Sequence, residues 1–591
     1  MPITPRTLPT LAALLAAAAM AAPASAAKPP PPVPFGPVEI VPGITEQQIV
    51  QPGPEVIHVV RITPGPLIST SPVLPGGSVS TPGTLSAAMS ARLDAGAVVG
   101  INGDALNRRK TGPDGIVLAG DQLMSAPDPG RTALLLGPAG LSFGRMRLLG
   151  RYQAESPKGF SRPFSGVNRP PDRLDETVVY TPAYGLLTPP VTGAPRFEAV
   201  VQVDANAPLA PNTTLVGTVV SAAAGGTPIG PGQVIISGNG TTAATVAGLA
   251  VGRRVSIALQ VDGLPPGMTD GIGGGPALVR DGAAVGPAGE TLSSIKLSAP
   301  TSRSAIGQAA DGTILLVSAE GAEQHNLGVS VSELAQIMVG LGAANAMAFD
   351  SGKPAQVAIG DRLLTAVRTE PTIPNALVVT YRGVQLGPLP DRITPNRDGV
   401  DDTAETTMRA PTVGGLTVTM ESSDGSSSVP ILRGPFGPGA APLKLNPSAL
   451  HLDDGAYVVT ARFVPGDGSA PTEATRTVVV DRTLSFLRLR SATVVLGTRS
   501  APQPQLRVGF RLSRQARVTV RLKDSKGILL RLLASKRLMK PGQQVVTWDR
   551  SLNGKRARPG TYTVDVAART SLGLSTLTRS IELKSTKPPT P

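Results

Sequence analysis

Between Gly271 and Gly352 the chain sets glycine-rich turns against short apolar runs, and this alternation restricts it to short strands joined by tight loops. The stretch holds GIGGGPALVRDG (Gly271 to Gly282), RSAIGQAADGTILLVSAEG (Arg303 to Gly321) and ELAQIMVGLGAANAMAFDSG (Glu333 to Gly352). In the first motif Gly273, Gly274 and Gly275 precede Pro276 and the apolar run Ala277 to Val279. A glycine triplet admits positive φ and close backbone approach. That suits a loop whose N–H groups face an anion such as a phosphate, and it equally suits a turn between strands. No Gly-Lys-Ser/Thr follows, which excludes a P-loop.

In the second motif the Asp311-Gly312 turn predicts a hairpin, with Ile314 to Val317 as a buried strand running to Glu320-Gly321. Arg303, at its start, is either a planar clamp for a phosphate or a solvated strand end. The third motif predicts a helix capped by Ser330 or Ser332, with Glu333 in its first turn and Leu334, Ile337, Met338 and Leu341 on its core face. Gly342 stops that helix, and a strand from Ala346 to Phe349 ends on Asp350-Ser351-Gly352. A carboxylate placed there serves catalysis or simply starts a turn. Upstream, Thr84 caps a helix from Leu85 to Ala95, and the buried strand Ala97 to Ile101 runs into Asn102-Gly103-Asp104.

In this order and spacing the motifs resemble the phosphodiester glycosidase family. Its pattern has an Asn-Gly turn with a carboxylate, a Gly-Gly-Gly-Pro loop, Arg-Thr/Ser-Ala-Ile-Gly before an Asp-Gly hairpin, and a Glu-Leu-Ala helix leading to Asp-Gly-Gly-Gly-Ser. The resemblance implies cleavage of the glycosyl–phosphate linkage of a sugar phosphodiester. Such chemistry needs a carboxylate as acid, base or nucleophile and a cationic or N–H-lined pocket for the phosphodiester. It makes Asp350, Asp104 and Glu320 the catalytic candidates, and Asn102, Gly103, Gly273, Gly274, Gly275, Arg303, Ser351 and Gly352 the substrate-binding ones. The sequence departs from the pattern at Ala105-Leu106, where the family has aromatics, and at Ser351, Lys353 and Pro354. Ser351 takes positive φ less freely than glycine, and Pro354 lacks a donor. A domain that binds a surface glycan without turnover is therefore the alternative expectation. An adhesin-like protein worked by its immunoglobulin-like modules is a third.

Composition narrows the classes. The chain of 591 residues has no cysteine, which excludes disulfides, thiolate metal sites and a cysteine nucleophile. His58, His325 and His451 are its only histidines and are scattered, which argues against a Ser-His-Asp triad or a histidine metal site. No cofactor is required by the sequence. Residues 1–27 read as a secretory signal, with Arg6, an apolar Leu11 to Ala22 and a small-residue cleavage site at Ala24-Ser25-Ala26. A secreted, extracellular or cell-wall-associated protein without a transmembrane anchor is expected. Residues 28–36 read as a Pro-rich linker.

The expected fold class is α+β: a sheet-rich catalytic-type domain over 37–385, then all-β immunoglobulin-like sandwiches over 388–482 and 483–584, and a tail over 585–591. Gly455, Tyr457 and Val459 recur as Gly560, Tyr562 and Val564, a repeat at about one immunoglobulin-like period. Trp548-Asp549 before Asn553-Gly554 resembles a strand and turn of flagellar hook-capping modules, with Trp548 expected in the core. Asn396, Asp398, Asp401 and Asp402 offer oxygen ligands for a structural Ca²⁺, or make a plain domain-entry turn. From Thr483 onward there are 22 basic and 4 acidic side chains, so the net +14 of the chain is concentrated there. A basic sandwich suits an anionic wall polymer, an acidic polysaccharide or a membrane surface, and equally a solvated face with no specific partner. The secretory signal and the scarcity of aromatics argue against nucleic acid.

Overall fold

The computed structural model describes residues 36–585 except 52–54, 156–158, 192, 205–208, 288, 292–296, 322–325, 366, 491–492, 497–504 and 553–554. The expected signal segment, nearly all of the Pro-rich linker, His325 and the Asn553-Gly554 turn lie outside the described residues. The N-terminal half is α+β and dominated by sheet, as its glycine-punctuated apolar runs require.

Two sheets stacked face to face position the site. The first has eight strands in the order Val38–Val41, Ile44–Gln51, Glu55–Ile62, Ile314–Ala319, Arg303–Ala309, Ala343–Ala348, Ala277–Arg280 and Ala283–Ala284. It is antiparallel throughout, and the expected Asp311-Gly312 hairpin joins Arg303–Ala309 to Ile314–Ala319. The second has five strands in the order Arg362–Leu363, Val357–Ile359, Ala97–Asn102, Ala376–Tyr381 and Ile68–Val73. Alternation decides which side chains meet between them: Val60, Ile306, Leu316 and Met347 from the first pack on Ile101, Val357 and Leu377 from the second. Full burial of each such side chain contributes roughly 1.5–3 kcal/mol.

The helix Val331–Gly340 covers the outer face of the eight-stranded sheet. Ser330 caps it, and Glu333 bonds back to the Ser330 N–H, which satisfies donors that a helix start leaves open. Leu334, Ala335 and Met338 pack on Leu315, Val317 and Ala346. A second helix, Leu85–Ser90 capped by Thr84, is shorter than the sequence suggests, because the chain turns through to Gly96 at φ +93°. Another eight-stranded sheet, centred on Arg254–Asp262, Thr213–Ala223 and Arg196–Val203, and a five-stranded sheet containing Asp270–Gly273 complete this half. The helix Thr241–Ala247 rides on the former, and the sequence reading did not anticipate it.

Two sandwiches follow, each a three-stranded sheet on a five-stranded one, with the same strand order. Gln385–Leu386, Ala404–Ala410 and Gly439–Leu445 form the small sheet of the first module. The repeated tyrosines share one geometry: Tyr457 Oη donates to Asp453 O at 3.0 Å and Tyr562 Oη to Arg558 O at 2.8 Å, each four residues upstream. Such a tyrosine corner pins the entry to a central strand. Trp548 is buried beside Tyr562, its Nε1 donating to Ser551 O at 3.0 Å. Polar contacts join the parts: Arg409 pairs with Asp94 at 3.0 Å, and Arg392 of the first sandwich donates to Leu572 O of the second at 2.7 Å. Among the described residues no helix is long and apolar enough to cross a membrane.

Candidate functional site

The strand Ala97–Asn102 ends where Ala343–Ala348 also ends, and the turns beyond them are hydrogen-bonded to one another. Asp350 N donates to Gly103 O at 3.0 Å, and Asn102 Nδ2 donates to Asp350 O at 3.1 Å. Asn102 Oδ1 accepts from Gln356 N at 3.0 Å and Ser304 Oγ at 2.7 Å. Asn102 is therefore fully buried and fully bonded, and it fixes the Asp350 main chain from the opposite sheet. The Asp350 side chain is half-buried, with Oδ1 accepting from Ser351 N at 2.9 Å.

Asp104 lies one residue past the same turn and is 1% exposed. Its N–H donates to Asn375 Oδ1 at 2.8 Å, Oδ1 accepts from Ala105 N at 2.7 Å, and Oδ2 accepts from Gly115 N at 2.6 Å. Arg131 Nη2 pairs with Asp104 Oδ1 at 2.8 Å while Nη1 reaches the more exposed Asp114 at 3.1 Å. Burial pushes the Asp104 carboxyl up from its ordinary value, and the nearby Asp350 charge adds to this. Arg131 and the two amides pull against them. Arg131 is held protonated by Asp104 and Asp114 despite its own burial.

The glycine triplet works by space. A Cβ on Gly273 would run into Asp104 Oδ2, and one on Gly274 into Met347 Cε and Ala348 O. Gly275 sits at φ +101°, ahead of a cis bond to Pro276, and donates to Ala348 O at 2.8 Å. The triplet thus lets the loop lie directly against Asp104 and the strand that leads to Asp350. Gly273 N donates to Ile116 O at 2.8 Å, so this N–H, like that of Gly275, is bonded within the protein. Beside it Glu290, a residue the sequence reading missed, accepts from Thr132 N at 3.0 Å and Thr132 Oγ1 at 2.5 Å.

The loop after Asp350 accommodates its departures from the family pattern. Gly352 takes the left-handed conformation at φ +79°, and Ser351 is not among the residues with positive φ. The serine therefore carries no backbone strain.

The remaining candidates lie differently. Arg303, expected at a phosphate, is 3% exposed and braces main chain: Nε donates to Val329 O at 2.7 Å and Nη2 to Ala299 O at 2.9 Å. Glu320 directs Oε1 to His58 Nε2 at 3.2 Å and Oε2 to Asn326 Nδ2 at 2.6 Å. His58 also lies 3.5 Å from Glu46. Burial alone would lower His58, but its bonds to Glu320 and Glu46 outweigh this and raise it. Asp104, Asp350, Asn102, Gly103 and the triplet thus form one centre, with Arg131, Ser304 and Asn375 added by the structure. Arg131 followed a Pro-Gly turn in sequence, and nothing there pointed to Asp104.

The acidic loop expected to hold Ca²⁺ is a hydrogen-bonded turn. Asp402 accepts from Arg397 N at 2.6 Å and Gly399 N at 2.9 Å, and Asp398 from Val400 N at 3.0 Å and Phe486 N at 2.9 Å. Asp401 adopts φ +51°, and among the described residues no group of three or more acidic or histidine side chains is placed to hold a metal. These bonds are those of a domain-entry turn, one of the two arrangements the sequence offers for this loop.

Comparison with known proteins agrees with the order of these parts. Residues 199–380 match the phosphodiester glycosidase family, and residues 498–571 match the FlgD Ig-like domain. The first match contains the triplet and Asp350 but not Asn102 or Asp104. A hypothetical protein from Synechocystis is similar in structure, at 26% identity and a TM-score of 0.50, over 60% of this chain and 64% of that one. The catalytic domain of zebrafish N-acetylglucosamine-1-phosphodiester alpha-N-acetylglucosaminidase, auto-inhibited by its pro-peptide, aligns at 11% identity and a TM-score of 0.31, over 57% of this chain and 82% of that one. No curated protein matches the chain. The chain carries a phosphodiester glycosidase domain followed, near its C-terminal end, by a FlgD Ig-like domain.

Proposed function

We propose that this protein is a secreted hydrolase that cleaves the bond between a sugar and phosphate in a glycan or wall-polymer phosphodiester. One observation carries the reading: of the two carboxylates brought together, Asp350 reaches the surface while Asp104 is sealed against Arg131. Most glycosidases need two reachable carboxylates, because an alkoxide leaving group must be protonated. Cleavage of the sugar–oxygen bond of a phosphodiester releases a phosphate monoester, a weak base that needs no such acid. One carboxylate, activating water or attacking the sugar carbon directly, suffices for that bond. Asp350 takes this part. Asp104, Arg131 and Asn102 are positioning residues, and the Asp104–Arg131 pair adds a fixed dipole behind the reacting centre.

The basic C-terminal sandwich suits retention on an anionic wall polymer, since its surplus of cations would attract repeated phosphates. Glycan binding without turnover stays as the second reading, favoured by Ser351, Lys353 and Pro354 in the loop after Asp350, where the family pattern has Gly, Gly and Ser. Product analysis separates the two. Incubation with sugar phosphodiesters should give free reducing sugar and leave the phosphate on the other fragment. Binding of the same compounds without release of sugar would support the second reading and remove the first.

A further inference from the structure

A cleft of about 790 Å³ opens beside the loop that carries Arg131, on the face of the strand Arg147–Ala154. Pro127 and Pro129 form part of its wall, and Arg131 follows directly after them in the chain. Arg147, Leu149 and Arg151 alternate on the exposed face of that strand, and Arg173 lies in the same lining. Arg169 is committed to Glu176 and, at 3.0 Å, to Asp172, so the lining sets four arginines against two acids. Arg151 Nε donates to Ser161 Oγ at 3.2 Å. Among the described residues no hydrogen bond or ion pair engages the Arg147 or Arg173 side chain. The cleft lining therefore presents a net surplus of positive charge.

Spacing adds to sign. Positions i and i+4 on a strand lie about 13 Å apart, more than one phosphate can bridge. Leu149, 43% exposed, stands between the two arginines as an apolar platform. Cations separated by an apolar step match a chain whose phosphates alternate with a carbon skeleton. We propose that this cleft is a subsite for a phosphate-repeat polymer, holding the chain beyond the bond that is cleaved. Its place in the reaction rests on the hydrolase reading above, but binding can be measured without turnover.

The test uses the full chain and a short glycerol phosphate oligomer, with binding followed by calorimetry at low salt. Arg147→Ser with Arg173→Ser should weaken binding about tenfold, since two exposed charge contacts to phosphate are lost. A control removing Arg362 and Arg433, exposed arginines outside both the cleft and the basic C-terminal sandwich, should leave affinity for the short oligomer unchanged. Release of sugar from a small phosphodiester should also be unchanged in the cleft variant. An oligomer that does not bind wild type, a cleft variant that binds like wild type, or equal losses in both variants would each overturn the subsite. Should wild type bind the oligomer through the cleft yet release no sugar from any phosphodiester, the hydrolase reading fails and the polymer site stands.

Discussion

Arg131→Met isolates the pair on which the centre is built. The substitution keeps most of the volume and removes the guanidinium that lies 2.8 Å from Asp104, whose side chain has no exposure. Two backbone donors at 2.7 and 2.6 Å remain, and they do not neutralise the charge. Breaking a buried pair from one side costs roughly 3–5 kcal/mol. A domain of about 350 residues has an unfolding entropy near 0.7 kcal/mol/K, so this loss should lower its melting temperature by about 4–7 °C. The loss should depend on pH. Without Arg131 the Asp104 pKa rises further above its unfolded value, so its folded form is favoured while protonated and penalised as pH rises. Calorimetric scans at pH 5 and pH 8 should show the larger deficit at pH 8, and Arg131→Met with Asp104→Asn should recover part of it. A single variant that melts within about 1 °C of wild type at pH 8 would refute the claim that Arg131 stabilises Asp104 as an ion pair.

Gly273→Ala should lower stability by about 1–3 kcal/mol in denaturant titration, because the new methyl meets an Asp104 that Arg131 and two amides hold in place. His58, raised by Glu320 and Glu46, stabilises the fold fully below its unfolded pKa near 6.5, and this contribution fades as pH rises through the folded value. The difference in melting temperature between wild type and His58→Gln should therefore be greater at pH 6 than at pH 9. N-terminal sequencing of secreted material should read from near Ala27 or Lys28; an intact Met1 in a membrane fraction would contradict secretion.

Local patterns were legible where one residue type admits one solution. The Ser330–Glu333 capping box, the Asp311-Gly312 hairpin and the Gly-x-Tyr repeat each appear in the structure because turn, cap and corner chemistry is set by neighbours in sequence. Direction was not legible. Arg303 has the residue type of a phosphate clamp, yet its fork turns to the carbonyls of Ala299 and Val329, since those loops close over the strand end where it sits. Glu320 ends its strand as expected, and strand pairing then sets it beside His58, which is 262 residues away. Arg131 went unseen for the converse reason: its partner is delivered by a different sheet.

The central claim is that Asp350 does the chemistry at a scaffold fixed by Asn102 and Asp104. Sugar release from a panel of N-acetylhexosamine phosphodiesters, by wild type and Asp350→Asn matched in thermal stability, tests it most directly. The account predicts release by wild type and a loss of about 10²-fold or more in the variant, the usual scale for a positioned acid or base. An active wild type equalled by Asp350→Asn would contradict it.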